Sequence, residues 1–375
     1  MSNEFDYIVV GAGMAGASVA ANLAGHGRVA VLEAEEHAGY HTTGRSAALF
    51  SELYGNRVIR ALTRASRAFF FEPPGDFAPT ALVSPRSSLY FVSRERAAEL
   101  DVFRADDDVR SRTIALNAAQ ARELVPVFRQ DYLGGAALEQ GSADIEVDVL
   151  HQGFLRQARS AGAQIHLKCA ANRIEHAEGM WTVTTANGSF SAPVLVNAAG
   201  AWGDRVATMA NVAPVGLAPL RRTAILIDTP NSMSSNPWPA AIDIEGQFYF
   251  KPDAGLLLLS PADEHLSEPC DAQPEELDVA IGIDRFEQAT GTTIKRVKHQ
   301  WAGLRVFSPD RTPVVGFDAI AKGFFWLVGQ GGYGIQTAPA LGRLAAALAQ
   351  GQQVPVDIAG FGVEAASLSP SRFLE

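Results

Sequence analysis

Scarcities narrow the field first. Of 375 residues only two are cysteine, Cys169 and Cys270. They share no C-x-x-C spacing and stand beside no histidine cluster. A zinc site and a disulfide framework are therefore not expected, nor any other metal, and a reducing compartment fits. Basic residues are outnumbered: 31 Lys and Arg face 41 Asp and Glu, for a formal charge of −10. Nucleic acid and anionic membranes demand basic surface, so neither is expected as the main partner, although an acidic whole can enclose a cationic pocket. Long apolar runs are missing too. Gly255–Leu259 and Phe324–Val328 fall far short of the roughly 20 residues a spanning helix needs. No integral membrane segment is expected. A cleavable leader is not expected either, because the first strand begins by Asp6 and flows straight into a glycine-rich turn. The expected location is the cytoplasm, with peripheral contact at the inner membrane left open.

The remainder is ordinary globular composition, 47% hydrophobic and 19% charged, in a chain long enough for two domains. It opens DYIVVGAGMAGASVAANLAGHGRVAVLEAE. The run 7–10 has the β-branched, apolar character of a buried parallel strand. GAGMAG follows and fits G-x-G-x-x-G at Gly11, Gly13 and Gly16. Helical spacing of small residues runs from 15 to 23, and a second strand from 28 to 32 ends at Glu33. Gly11 permits the sharp turn, Gly13 lets the backbone approach a pyrophosphate, and Gly16 allows close helix–strand packing. The helix N-terminus offers free N–H groups to phosphate, and Glu33 is placed to accept from a ribose diol. A bound dinucleotide is the reading; these thirty residues do not separate FAD from NAD.

Three later segments bear on that choice. HTTGRSAALF (41–50) offers hydroxyls, backbone N–H groups and a cation. VLVNAAGAWGD (194–204) is a strand entering a turn of small residues. TPVVGFDAIAKGFFWLVGQGGYGIQTAPALGRLAAALAQG (312–351) is a buried strand, a glycine-rich run and a long helix whose N-terminus would face a partial anion. With LTRASRAFF, DVLHQGFLR, FYFKPDAG and WAGLR, these segments resemble the FAD-dependent D-amino acid dehydrogenase/oxidase superfamily, glycine oxidase-like, and within it the D-arginine/D-amino acid dehydrogenase type.

The resemblance implies an α/β fold: a Rossmann-like FAD-binding domain of the glutathione reductase/D-amino acid oxidase kind, and an α+β substrate domain with a mainly antiparallel sheet. We assign 1–50, 146–210 and 311–375 to the first and 51–145 and 211–310 to the second. Helices are expected over 57–71, 149–160 (with Asp148 as N-cap), 274–289 and a long stretch ending near 350. Implied cofactor contacts are Gly11, Ala12, Gly13, Met14, Ala15 and Gly16; Glu33 and Ala34; Thr42, Thr43, Gly44, Arg45, Ser46 and Ala47; Ala199, Gly200 and Trp202; Gly303 and Arg305; and Gly331, Gly332, Tyr333, Gly334, Ile335 and Gln336. The FAD is expected to be non-covalent, since the late loop carries no cysteine.

The resemblance also implies a catalytic set of Tyr54, Arg222, Tyr249, Arg305 and Gly332. Arg222 and Arg305 would form a carboxylate clamp, a task suited to a planar, forked guanidinium. Tyr249 would support them and Tyr54 would stand near the entrance. Strand alternation sends Arg221 to the opposite face, and His41 reads as structural. No general base announces itself. The implied reaction is oxidative deamination of a D-amino acid, with hydride passing from Cα to flavin N5 and an imino acid hydrolysing to a 2-oxo acid and ammonia. A quinone or an electron-transfer protein would take the electrons. One departure bears on substrate: Ser87 and Ser88 stand where the D-arginine type carries a glutamate, and Leu49 where it has a histidine. Leu49, Phe50 and Leu53 then suggest an apolar side-chain wall and a preference for neutral or hydrophobic D-amino acids, while Glu52 keeps basic ones open. Rival readings are an oxygen-using oxidase of the sarcosine/glycine type, a flavin-dependent 2-hydroxy acid dehydrogenase, a non-catalytic FAD-binding subunit and an NAD-dependent dehydrogenase.

Overall fold

The computed structural model describes residues 4–230 and 233–374. Asn231 and Ser232, within the Pro/Ser/Asp-rich loop expected over 228–240, lie outside the described residues. Tyr7–Val10 sits inside a six-stranded sheet between Val194–Asn197 and Val29–Leu32, parallel to both. Phe324–Val328 and then antiparallel Val314–Phe317 continue one side, and Gln164–His166 closes the other. Strand order thus reverses at Tyr7–Val10, and the glycine turn leaves its carboxyl end, where open α/β sheets bind ligands. The helix Met14–Leu23 packs on this sheet and against the helices Val147–Ser160 and Gly334–Ala349.

The second sheet runs Gln330–Gly331, Val297–Phe307, Ala218–Ile227, Leu256–Ser260, Tyr249–Asp253, Ala240–Asp243, Ser88–Ser93, Leu133–Glu139, Thr113–Asn117. Its pairings are antiparallel except that between Ala240–Asp243 and Ser88–Ser93. Phe91, Phe128, Phe248, Phe250 and Phe286 fill the core behind it. Because Gln330–Gly331 pairs with Val306 and Phe307, the chain leaving the parallel sheet touches the antiparallel one before entering its closing helix.

Several elements differ from expectation. The helix expected from 149 starts at Val147 with Glu146 as its cap residue, so Asp148 lies in its first turn and caps nothing. The strand that carries WAGLR runs Val297–Phe307, which places Arg305 within it. The helix Arg57–Phe71 falls in the stretch assigned to the substrate domain, yet Ala61, Leu62 and Phe70 join the core around Met14–Leu23 and Gly334–Ala349. Its apolar stripe faces that core because the helix packs directly on Gly334–Ala349.

Candidate active site

Between the two sheets lies an elongated cavity of about 500 Å³, within the range typical of cofactor sites. One end begins at the glycine turn. Gly11 has φ +101°, and a Cβ there would lie 2.6 Å from the Ala198 carbonyl oxygen; a Cβ on Gly16 would lie 1.8 Å from that of Gly11. Both positions exclude any larger residue. The Ala12 peptide is clamped from two sides: its N–H donates to Glu33 Oε2 at 2.7 Å, and its carbonyl accepts from His151 Nε2 at 2.8 Å. Glu33 also accepts from the Glu35 N–H at 2.9 Å. The Met14 N–H donates to Thr43 Oγ1 at 3.0 Å, which draws the 42–45 turn against the helix start.

The other end is built on the antiparallel sheet. Register pairs Arg222 with Gly303 and Leu220 with Arg305, so both arginines project from one face while Arg221 points away. Arg221 is spent on Glu275 and Asp278. Arg222 donates through Nε to the Asp263 carbonyl at 2.7 Å and through Nη2 to Glu264 at 3.0 Å. Arg305 donates from Nη1 to the Tyr54 hydroxyl at 2.8 Å. A Cβ on Gly332 would lie 3.0 Å from Arg305 Cζ, so glycine there leaves room for the guanidinium.

Four arginines line the cavity. Arg45 pairs with Asp271, Arg205 with Glu268 and Arg222 with Glu264. Among the described residues no carboxylate pairs with Arg305. Burial works against its charge, but the phenols of Tyr54, Tyr249 and Tyr333 outweigh it and raise its pKa. Burial pushes the Tyr249 phenol up, yet the Arg305 and Arg222 guanidinium groups prevail and hold it below the ordinary range. Tyr333, half-buried and beside Tyr54, is pushed up to about 12.

Of the residues singled out from sequence, Gly11, Gly13, Met14, Ala15, Glu33, Ala34, Thr42, Thr43, Arg45, Ser46, Ala47, Ala199, Gly200, Trp202, Arg222, Tyr249, Gly303, Arg305, Gly331, Gly332, Gly334 and Ile335 line the cavity. Ala12, Gly16 and Gly44 lie behind the lining. Tyr54 and Tyr333 pack edge to face at 4.7 Å, outside the lining but against Arg305. Gln336 is a correction: its side chain is buried away from the cavity, donating to Thr63 and accepting from the Ser51 N–H. Arg45 lines the cavity, and its guanidinium donates to Asp271 and to the Ala272 and Ala302 carbonyls and so ties the turn to the sheet. The expected apolar wall also fails. Phe50 packs on Phe70 and Phe71, Leu53 joins a cluster with Tyr90, and neither they nor Leu49 line the cavity. Glu52 is paired to Arg67 and Arg112 and is unavailable to a basic substrate. Cys169, which lies outside the cofactor-facing sequence motifs, lines the cavity beside Ala170 and Ala171.

Sequence reasoning missed His151, Glu35, Tyr40 and Arg205. His151 lay within a quoted helical segment, and only its burial beside Ala12 reveals what it does. His41 lines the cavity, hydrogen-bonded to Glu35 and packed against Trp202.

The sequence profile of the FAD-dependent oxidoreductases called DAO matches residues 6–348. The chain belongs to that family. A relative in Bacillus subtilis, the uncharacterized oxidoreductase YurR, is 23% identical over 384 residues, covering 95% of this chain and 97% of that protein. Human mitochondrial dimethylglycine dehydrogenase matches at 22% identity over 59% of this chain but only 28% of its own length. Among solved structures, glycine oxidase from Geobacillus kaustophilus aligns over 96% of this chain and 98% of its own, with TM-score 0.81 and 20% identity. L-proline dehydrogenase from P. horikoshii aligns over 100% and 98%, with TM-score 0.83 and 17% identity. At such identities structural likeness speaks to the fold, and it is the DAO flavoprotein fold. The DAO family cofactor is FAD. The cavity suits it chemically: a glycine turn leading into a helix whose N-cap residue is itself a glycine, an acid at the strand end, and a second helix start at Gly334 with no side-chain cap. Among the described residues no helix is long and apolar enough to cross a membrane.

Proposed function

We propose that this DAO-family oxidoreductase oxidises the amine of small amino acids bearing a free carboxylate, chiefly D-amino acids with neutral side chains. The imino acid product then hydrolyses to a 2-oxo acid and ammonia. The observation that carries this reading is Arg305, a cavity-lining guanidinium with no carboxylate partner among the described residues. A cation left uncompensated in a half-buried site is stabilised by an anion, and its planar fork favours a carboxylate. Arg222, on the same face, supplies the second donor. The pair also disfavours an ammonium beside it, so the amine binds neutral with its lone pair available, and no separate general base is required. Bound FAD supplies the two-electron acceptor. We take it to be dissociable, held by Glu33, the Gly11–Gly13 turn and the Gly334 helix start.

The D-configuration is supported by the motif resemblance. A neutral side chain is supported by the pairing of Glu52 with Arg67 and Arg112. The solved glycine oxidase and an iminodiacetate oxidase from Chelativorans sp. BNC1 share the fold and by name act on amines with carboxylates. We assign electron delivery to a quinone or an electron-transfer protein. Anaerobic mixing of the yellow protein with D- and L-amino acids tests the reading through flavin absorbance. Bleaching by D-alanine or D-valine, and not by their L-forms, is expected. Bleaching by 2-hydroxy acids alone, or by none of these, would overturn it. Peroxide yield against dye reduction then identifies the acceptor.

A further inference from the structure

Glu264 does not itself line the cavity, but its carboxylate binds Arg222, which does, at the arginine end. Its Oε1 accepts from Arg222 Nη2 at 3.0 Å and from Arg311 Nη2 at 2.9 Å, and its Oε2 accepts from Arg311 at 3.0 Å. The loop that carries it is fixed. The neighbouring Asp263 carboxylate accepts from the Thr223 N–H at 2.7 Å and the Thr223 hydroxyl at 3.0 Å, and its carbonyl accepts from Arg222 Nε. Arg311 is held on the other side, its guanidinium carbon 3.8 Å from the Phe307 ring centroid. Glu264 and Arg311 both act on Tyr333, beside Arg305. Three guanidinium groups therefore converge here, and Glu264 occupies two of them.

We propose that Glu264 is a specificity-determining residue that restricts this site to substrates with a single carboxylate. The proposal rests on the carboxylate clamp proposed above. Arg305 is open to an incoming carboxylate, whereas the Nε–Nη2 edge of Arg222 and Nη2 of Arg311 are already taken. A second carboxylate reaching toward the rim meets the Glu264 anion in place of a free cation. The Glu264 charge offsets part of the attraction that Arg222 and Arg311 would otherwise exert on a second carboxylate, and so disfavours that substrate. Removing the Glu264 charge would release Arg222 and Arg311 together.

The test is equilibrium binding of two unreactive acids, propionate and succinate, to the FAD-loaded protein, read from perturbation of flavin absorbance. In Glu264→Gln both acids tighten, and the succinate-to-propionate ratio of dissociation constants falls at least tenfold. In Arg311→Met, which leaves Glu264 to Arg222 alone, the ratio rises at least threefold. Equal shifts for both acids in Glu264→Gln, or an unchanged ratio in both variants, would overturn the proposal. Failure of the underlying clamp reads differently: propionate binding would then survive Arg305→Ala at wild-type affinity.

Discussion

Replacing Arg305 by alanine isolates the contact on which substrate binding turns. The guanidinium is half-buried, lines the cavity and spends one N–H on the Tyr54 hydroxyl. A forked pair with a carboxylate in such a site, lost by truncating one partner, costs about 3–4 kcal/mol. At 1.36 kcal/mol per decade, kcat/KM falls by roughly 150- to 900-fold. Most of the loss should enter KM, because the carboxylate is held in ground and transition states alike. The fold should hardly notice: no buried carboxylate is orphaned, and the one lost hydrogen bond is worth about 1 kcal/mol.

The assay is steady-state dye reduction with D-alanine, beside thermal unfolding followed by flavin fluorescence. Arg305→Lys sharpens it, since the charge remains while the fork is lost, and about tenfold of the deficit should return. A fall in kcat/KM below about fivefold, with flavin retained, would refute the clamp.

Glu33→Gln replaces the charged acceptor of the Ala12 N–H with a neutral one, and the FAD dissociation constant should rise about tenfold, for a loss of about 1.5 kcal/mol, measured by flavin release on dilution. His151→Leu leaves the buried Ala12 carbonyl unpaired and should cost about 1–3 kcal/mol of holoprotein stability, seen in thermal unfolding and partly restored by His151→Gln. Tyr249 ionises below the ordinary phenol range because two guanidinium groups favour its anion. Above that pH the phenolate competes with the substrate carboxylate, so KM rises on the alkaline side; Tyr249→Phe should abolish the rise. Tyr333, at about 12, stays neutral throughout and cannot supply it.

The dinucleotide end was legible because it is local. Strand, turn, helix and acid lie within 33 consecutive residues, and Gly11 and Gly16 are demanded by contacts with the turn itself or with the end of one neighbouring strand. The arginine end was legible only in part. Alternation along RRTAILI separates Arg221 from Arg222, but bringing Arg222 to the face of Arg305 depends on the register between Ala218–Ile227 and Val297–Phe307. No pattern within either strand encodes that register. The strands between 83 and 139 went unread for the same reason, since Ser88–Ser93 pairs in parallel with Ala240–Asp243 from far along the chain.

Three side chains share a feature that shows how such sites can be sorted. Arg45 and Gln336 are expected at the cofactor, and Glu52 leaves a basic substrate open. Each meets protein groups that sequence distance conceals: Asp271 for Arg45, Arg112 for Glu52, Ser51 for Gln336. Capacity to bind is a property of the side chain; availability is what remains after the fold has taken its share. By that measure Arg45, Arg205 and Arg222 are partly committed to protein carboxylates, and Arg305 is left with donors to spare. An enzyme that keeps one guanidinium uncompensated in an otherwise neutralised wall needs an anion from outside the protein to complete it.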